Sequence, residues 1–244
     1  MDARAGRLQL GLLLPHRAGS LPPMSVLAAR AGWQALWVPV GSAWPADSAA
    51  TGIRIGWVVD DGAGRALNPG SDVWMRASAA TPAAVAARRA LTPDGYDVSA
   101  DAVDAAAAAA MRAAGAVPVF GPAPVGALLA LLRDVAGRSA VCLPASPGRT
   151  LAEAHARLAG DPDLRAEAEA APGLVGTLED CQQTVAVLYA AGMRELRLHL
   201  PGTPDIPDVI AQMSTLGGDL LSGLEAGSPR SAAPAAPTGW GGRA

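Results

Sequence analysis

The residues with the most chemistry to offer are two histidines. His16 lies just past the apolar run Leu8–Leu14 and Pro15, a run that reads as a strand buried on both faces. His199 falls near the end of the alternating segment Glu195–Leu200. An imidazole at the C-terminal end of a strand can donate a proton to a bound ring or take one from it. In a parallel α/β barrel that edge holds the active site. Plainer readings stand beside these: His16 as a loop histidine bonded to backbone, His199 as an outward residue under a helix. His155, mid-helix beside Arg157, reads as a solvated surface residue. No spacing holds the three histidines together as a zinc site.

Three further groups bear on ligand binding. Trp37 and Trp57 fall on the second and third strand segments, either as ordinary core or as flat walls for a planar heterocycle. The stretch Arg76-Ala-Ser78-Ala79-Ala80-Thr81-Pro82 joins a short strand to a helix with a Thr N-cap and Pro at its first position. Its small side chains let a phosphate approach the free N–H groups of a helix start. Gly121-Pro-Ala-Pro124 is a rival, but its prolines lack donors.

Composition removes several classes. All 19 basic residues are Arg. Without lysine there is no Schiff base, no pyridoxal-phosphate lysine and no Walker A loop. No HExxH, GxSxG or cysteine-rich metal frame occurs. Gly62-Ala-Gly64 has Leu67 where a dinucleotide loop needs its third glycine, and it follows Asp60-Asp61. A net charge of −3 gives no electrostatic case for nucleic acid or an anionic membrane. Cys142 and Cys181 read as two reduced thiols of a cytoplasmic protein. No apolar run approaches the ~20 residues that span a bilayer. Arg4 and Arg7 before Leu8–Leu14 faintly suggest a signal peptide, but the run is short and lacks an A-x-A site.

The positioning elements follow from periodicity. With 244 residues, 50% of them hydrophobic, the chain suits one large domain over 1–220. The Gly/Pro/Ser/Ala-rich segment 225–244 reads as a disordered tail. Strands are expected at 8–14, 35–40, 53–59, 73–75, 117–120, 139–143 and 195–200. Helices are expected at 24–31, 81–91, 125–135, 150–158, 164–171, 177–191 and 206–216, and the Ala-dominated 99–114 reads as helix throughout. About seven strands, most alternating with helices, fit an open doubly wound sheet or a closed barrel; length and even alternation favour the barrel.

Several blocks resemble the luciferase-like monooxygenase family, the flavin- or deazaflavin-dependent oxidoreductases. Leu10-Gly-Leu-Leu-Leu-Pro15, then a helix and Gly32-Trp-Gln-Ala-Leu-Trp-Val-Pro39, resembles its opening. Thr51-Gly-Ile-Arg-Ile-Gly56 resembles its third strand. Val73-Trp-Met with Ser78–Ala87 and Asp94-Gly-Tyr96 resembles its strand, phosphate loop and helix. Thr150-Leu-Ala-Glu-Ala, and Gly176-Thr-Leu-Glu-Asp180 with Ala191-Gly-Met-Arg-Glu-Leu196, resemble its closing segments. The resemblance covers about two thirds of the chain.

It implies an α/β fold, a TIM (β/α)8-type barrel that is here incomplete or trimmed. It implies FMN or coenzyme F420 as cofactor, with hydride transfer or oxygen activation on a small-molecule substrate at the barrel mouth. His16 and His199 would be catalytic. Pro15, Trp37, Gly56, Trp57, Ser78, Ala79, Ala80 and Thr81 would bind the cofactor. Between Val59 and Val73 the family carries a helix, an "L-S-G-G-R" segment and a glycine-rich strand, where this chain has about a dozen loop residues. Val117–Gly137 is unmatched. That shortening supports a second expectation: a non-catalytic flavin binder, or a partner subunit in a homodimer or in a heterodimer with a full-length homologue. A third, an unrelated barrel aldolase or isomerase, would need a metal in the absence of lysine.

Overall fold

The apolar run after Leu8 becomes β1 (Gln9–Leu13), the first of nine parallel strands in the computed structural model. The structure describes residues 8–13, 21–40, 52–60, 71–135, 137–171, 173–201 and 211–219. Pro15, His16 and the tail from 225 lie outside the described residues. Then follow α1 (Leu21–Arg30), β2 (Ala35–Pro39), β3 (Arg54–Val59), β4 (Asp72–Met75), α2 (Pro82–Leu91), β5 (Val98–Ala102), α3 (Ala105–Ala113), β6 (Val117–Phe120) and α4 (Val125–Asp134). The last third contains β7 (Ala140–Gly148), α5 (Leu151–Leu158), α6 (Pro162–Ala170), β8 (Leu174–Thr177), α7 (Leu178–Ala190) and β9 (Glu195–His199). A short π-helix, Thr215–Asp219, continues the helical residues 211–214; the first part of the helix expected at 206–216 lies outside the described residues.

Eight strands close on themselves in the order β1-β2-β3-β4-β5-β6-β7-β9. This is a TIM-type parallel barrel. The expected total of about seven strands is corrected to nine among the described residues. Two were missed. Residues 98–102, at the start of the segment read wholly as helix, form β5, hydrogen-bonded to β4 and β6. Leu174–Thr177 forms β8, which lies beside the upper half of β7, Ala145–Gly148, while the lower half pairs directly with β9.

The helix starts expected at Thr81, Thr150 and Thr177 hold, whereas α1 and α6 begin earlier than expected, at Leu21 and Pro162. Side chains of Thr81, Asp104, Thr150, Asp161 and Thr177 each accept the backbone N–H three residues on. These caps satisfy donors that a helix start leaves unpaired.

Because strand side chains alternate between faces, each strand feeds two cores. Leu10, Leu12, Leu36, Val38 and Trp57 pack outward beneath the helices. Leu13, Ala35, Trp37, Val58, Trp74, Val119, Ala140 and Cys142 fill the cylinder. Trp37 occupies the interior because its neighbours are glycines. A Cβ on Gly11 would lie 2.7 Å from Trp37 Nε1, and one on Gly56 would run into the indole ring. Both contacts are with a ring that is fully buried. Gly56→Ala is therefore expected to destabilise the fold by about 1–3 kcal/mol through overpacking, seen as a lower melting temperature; an unchanged melting temperature would mean that the indole can shift.

Candidate active site

The interior of the barrel is charged at its base. Arg54 Nη1 lies 3.0 Å from Asp72 Oδ2 and 3.6 Å from Asp97 Oδ2. Arg138 bridges Asp97 at 2.6 Å and Glu195 at 3.1 Å, and the Gln9 amide oxygen accepts from Arg54 Nη2 at 2.7 Å. These groups sit at the N-terminal ends of the strands, the face where barrels invest in stability rather than catalysis.

One step up β9, Arg197 is fully buried. Its Nε donates to Glu195 Oε1 at 2.9 Å, and its Nη2 reaches across the cylinder to Ser99 Oγ on β5 at 2.7 Å. Its guanidinium carbon lies 3.8 Å from the Trp37 ring centroid and 4.7 Å from that of Trp74. The two indoles meet edge to face at 5.8 Å. Trp37 Nε1 and Arg197 Nη1 are buried and make no hydrogen bond. Burial pushes the Glu195 carboxyl up, but Arg197, Arg138 and Arg54 outweigh it and hold the group below the ordinary glutamate value. Asp72 is the converse: burial raises it, and Arg54 offsets this only in part.

Above this floor lies the C-terminal mouth. Asp101 is two residues beyond Ser99 on β5, and His199 two beyond Arg197 on β9, so both face inward one layer higher. Asp101 Oδ1 accepts from Trp74 Nε1 at 2.7 Å. Its Oδ2 accepts from Ala77 N at 3.0 Å and lies 3.3 Å from Arg76 Nε. Arg76 also stands 5.1 Å over the Trp74 ring. Burial pushes the Asp101 carboxyl up, and the Trp74 hydrogen bond and Arg76 pull it back only in part. His199 Nδ1 is 3.1 Å from Glu167 Oε2 of α6. Cys142, also inward, is buried; its thiol is pushed up to about 12 by burial, with the Glu167 carboxylate adding to the rise. It therefore stays protonated and is no nucleophile.

The residues singled out from sequence separate here. His199 takes the inward orientation. Trp37 lies in the floor, below the mouth, and Gly56 is the space its ring fills. Trp57 has the opposite parity to Gly56 and packs in the outer core. Ser78 donates its hydroxyl to the Asp60 carbonyl. The N–H groups of Ala79, Ala80 and Thr81 bond within their own loop, to Arg76 and Ala79 carbonyls, leaving Thr81 exposed as the cap of α2. His155 is exposed, and the free cysteines are buried. Arg76, Asp101, Glu167 and Arg197 were missed. For Asp101 the signal was the alternation Val98-Ser-Ala-Asp-Ala102; for Arg197 it was the charged centre of β9. Glu167 carries no sequence signal linking it to His199.

A cleft of about 370 Å³ lies elsewhere, between the end of α1 and residues 213–218, lined by Leu27, Arg30, Ala31, Gly32, Met213, Ser214 and Gly218. It sits at the base side of the barrel, away from the mouth groups.

Solved structures share this architecture. An F420-dependent secondary alcohol dehydrogenase, in complex with an F420–acetone adduct, superposes with a TM-score of 0.62 at 12% identity over 89% of this chain and 99% of its own. A type II Baeyer–Villiger monooxygenase with FMN, the oxygenating constituent of 3,6-diketocamphane monooxygenase from the CAM plasmid of Pseudomonas putida, gives 0.59 at 11% identity over 88% and 98%. The coenzyme F420-dependent tetrahydromethanopterin reductase of Methanopyrus kandleri gives 0.57 at 12% identity over 88% and 99%. At such identities the likeness is one of fold, the eight-stranded parallel β/α barrel. No family model and no curated protein matches the sequence. Among the described residues, no helix is long and apolar enough to cross a membrane.

The buried ion pairs make a prediction. Glu195→Gln leaves Arg197 without its adjacent countercharge, and should cost about 3–5 kcal/mol at neutral pH. Because the folded carboxyl sits below its ordinary value, its stabilisation is full above that value, about 4.3, and fades as acid protonates it. The gap between wild type and Glu195→Gln should narrow below about pH 4 in denaturant melts; a gap independent of pH would contradict the charge assignment.

Proposed function

We propose that this chain is a flavin- or deazaflavin-dependent oxidoreductase that binds FMN or coenzyme F420 at the barrel mouth and acts on a small molecule. The observation that carries this reading is the set of polar groups above the Trp37–Trp74–Arg197 floor: Arg76 with Asp101 on one side, His199 with Glu167 on the other. The three fold neighbours named above supply the cofactor class.

The residues present fit such a group. The first turn of α2 carries no acidic side chain, and its positive end suits a phosphate. Thr81 Oγ1 accepts from Ala84 N at 3.2 Å, so its own O–H is the donor left for a phosphate oxygen. Arg76, at the start of the same loop and paired with Asp101, adds a guanidinium. The loop amides of Ala79 and Ala80 are already used, so these two residues serve by being small. Trp74 and Arg76 would hold the conjugated ring. Trp37 and Gly56 act beneath it as support, and Asp101 holds both Trp74 and Arg76 in place.

When bound, the cofactor would accept a hydride from substrate or return one. His199 is the group that takes or gives the accompanying proton at the substrate oxygen. The chain's remaining part is orientation and exclusion of water; the redox chemistry is the cofactor's.

Titration with FMN and with F420, followed by cofactor fluorescence, should give saturable binding of one of them. Thr81→Asp is the sharpest variant. Asp caps a helix as well as Thr does, so the melting temperature should hold while the added carboxylate weakens cofactor binding at least tenfold, about 1.4 kcal/mol or more. Binding of neither cofactor would overturn the proposal; unchanged affinity in Thr81→Asp would move the phosphate elsewhere.

A further inference from the structure

We infer that Glu167 is a positioning residue for His199: it fixes which imidazole nitrogen carries the proton and so makes Nε2 the working base. This rests on the proton role proposed above for His199 and adds the residue that sets it.

Glu167 comes from α6, outside the strands that close the barrel. After β7 the chain runs through α5 and α6 and returns as β8 alongside Ala145–Gly148. That pairing begins immediately above the level where Pro144 meets His199. The excursion therefore brings α6 over the β7–β9 side of the mouth. Its orientation is fixed by Leu164 and Ala168, both buried and packed with Leu158. Glu167 is three residues from Leu164 and next to Ala168, on the inward side of the helix. Its side chain is 22% exposed, against 64% for Glu169 two positions on, which pairs with Arg165 on the outer face. A carboxylate drawn inward in this way needs a hydrogen-bond partner, and the partner is His199 Nδ1 at 3.1 Å.

A carboxylate can only accept, so a neutral His199 must carry its proton on Nδ1 and present the Nε2 lone pair. In alcohol oxidation Nε2 would take the substrate O–H proton while the C–H hydride went to the oxidised flavin or deazaflavin, leaving a carbonyl. Glu167 stabilises the imidazolium that results. The reverse reaction returns both.

The test is a long-range proton–nitrogen correlation spectrum of 15N-histidine protein without cofactor, at about pH 8.5–9, above the ordinary imidazole range, with a His199→Gln variant to assign the signals. The expected result is a pyrrole-type Nδ1 and a pyridine-type Nε2, with Glu167→Gln shifting the population toward the opposite tautomer because its amide can donate. In cofactor-loaded enzyme, Glu167→Gln should lower kcat about 10–100-fold, the range found for hydrogen-bond partners that orient metal-ligating histidines, with KM nearly unchanged and partial rescue in Glu167→Asp. A pyridine-type Nδ1 in the wild type, or a tautomer ratio indifferent to Glu167→Gln, would overturn the inference. Because the spectrum needs no cofactor, it decides the Glu167–His199 link even if neither cofactor binds. Loaded enzyme with unchanged kcat in Glu167→Gln would overturn the inference while leaving the oxidoreductase reading intact.

Discussion

A guanidinium held inside a closed cylinder is the constraint around which the rest is arranged. Arg197 has left water entirely, and a buried charge persists only with a countercharge and hydrogen bonds. Glu195 supplies the first, two positions back on the same strand, and Ser99 supplies a bond from the far wall. The faces of Trp37 and Trp74 complete the enclosure through their negative π-surfaces. Trp37 can lie there only because positions 11 and 56 have no side chain. One residue thus explains two glycines, the polar residue on β5 and the placement of both indoles.

This layer divides the barrel. Below it, Arg54 and Arg138 pair with Asp72, Asp97 and Glu195 near the strand starts, and Arg197 supplies the third positive charge that balances the three carboxylates. Above it, Arg76 and Asp101 face His199 and Glu167. The same physics gives the two ends different uses. At the base, pairs satisfy one another within the chain. At the mouth, His199 has one ring nitrogen engaged with Glu167, and Arg76 stands over the Trp74 face beside Asp101.

What was legible in the sequence follows the same division. β1, β2 and β3 were readable because their apolar runs are covered on both faces. β5 was not: its polar Ser99 and Asp101 point into the barrel while small Ala100 and Ala102 point out, the reverse of ordinary burial, and the alanines imitate a helix. The register Trp37↔Gly56 settles that Trp57 faces outward, but register is a property of paired strands and not of one segment. The closed barrel also shows that a connection of about a dozen residues between β3 and β4 suffices to join parallel neighbours, near the lower limit for such a crossover. Glu167 was invisible because its partner lies 32 residues away in sequence, and only the packing of α6 against β7 and β8 brings them together.

The most direct measurement is hydrogen exchange of backbone amides with and without saturating FMN or F420. Binding at the mouth predicts slower exchange around residues 76–81 and 197–200, with the cleft formed by residues 27–32 and 213–218 unaffected. Protection confined to that cleft, or no change anywhere, would contradict it.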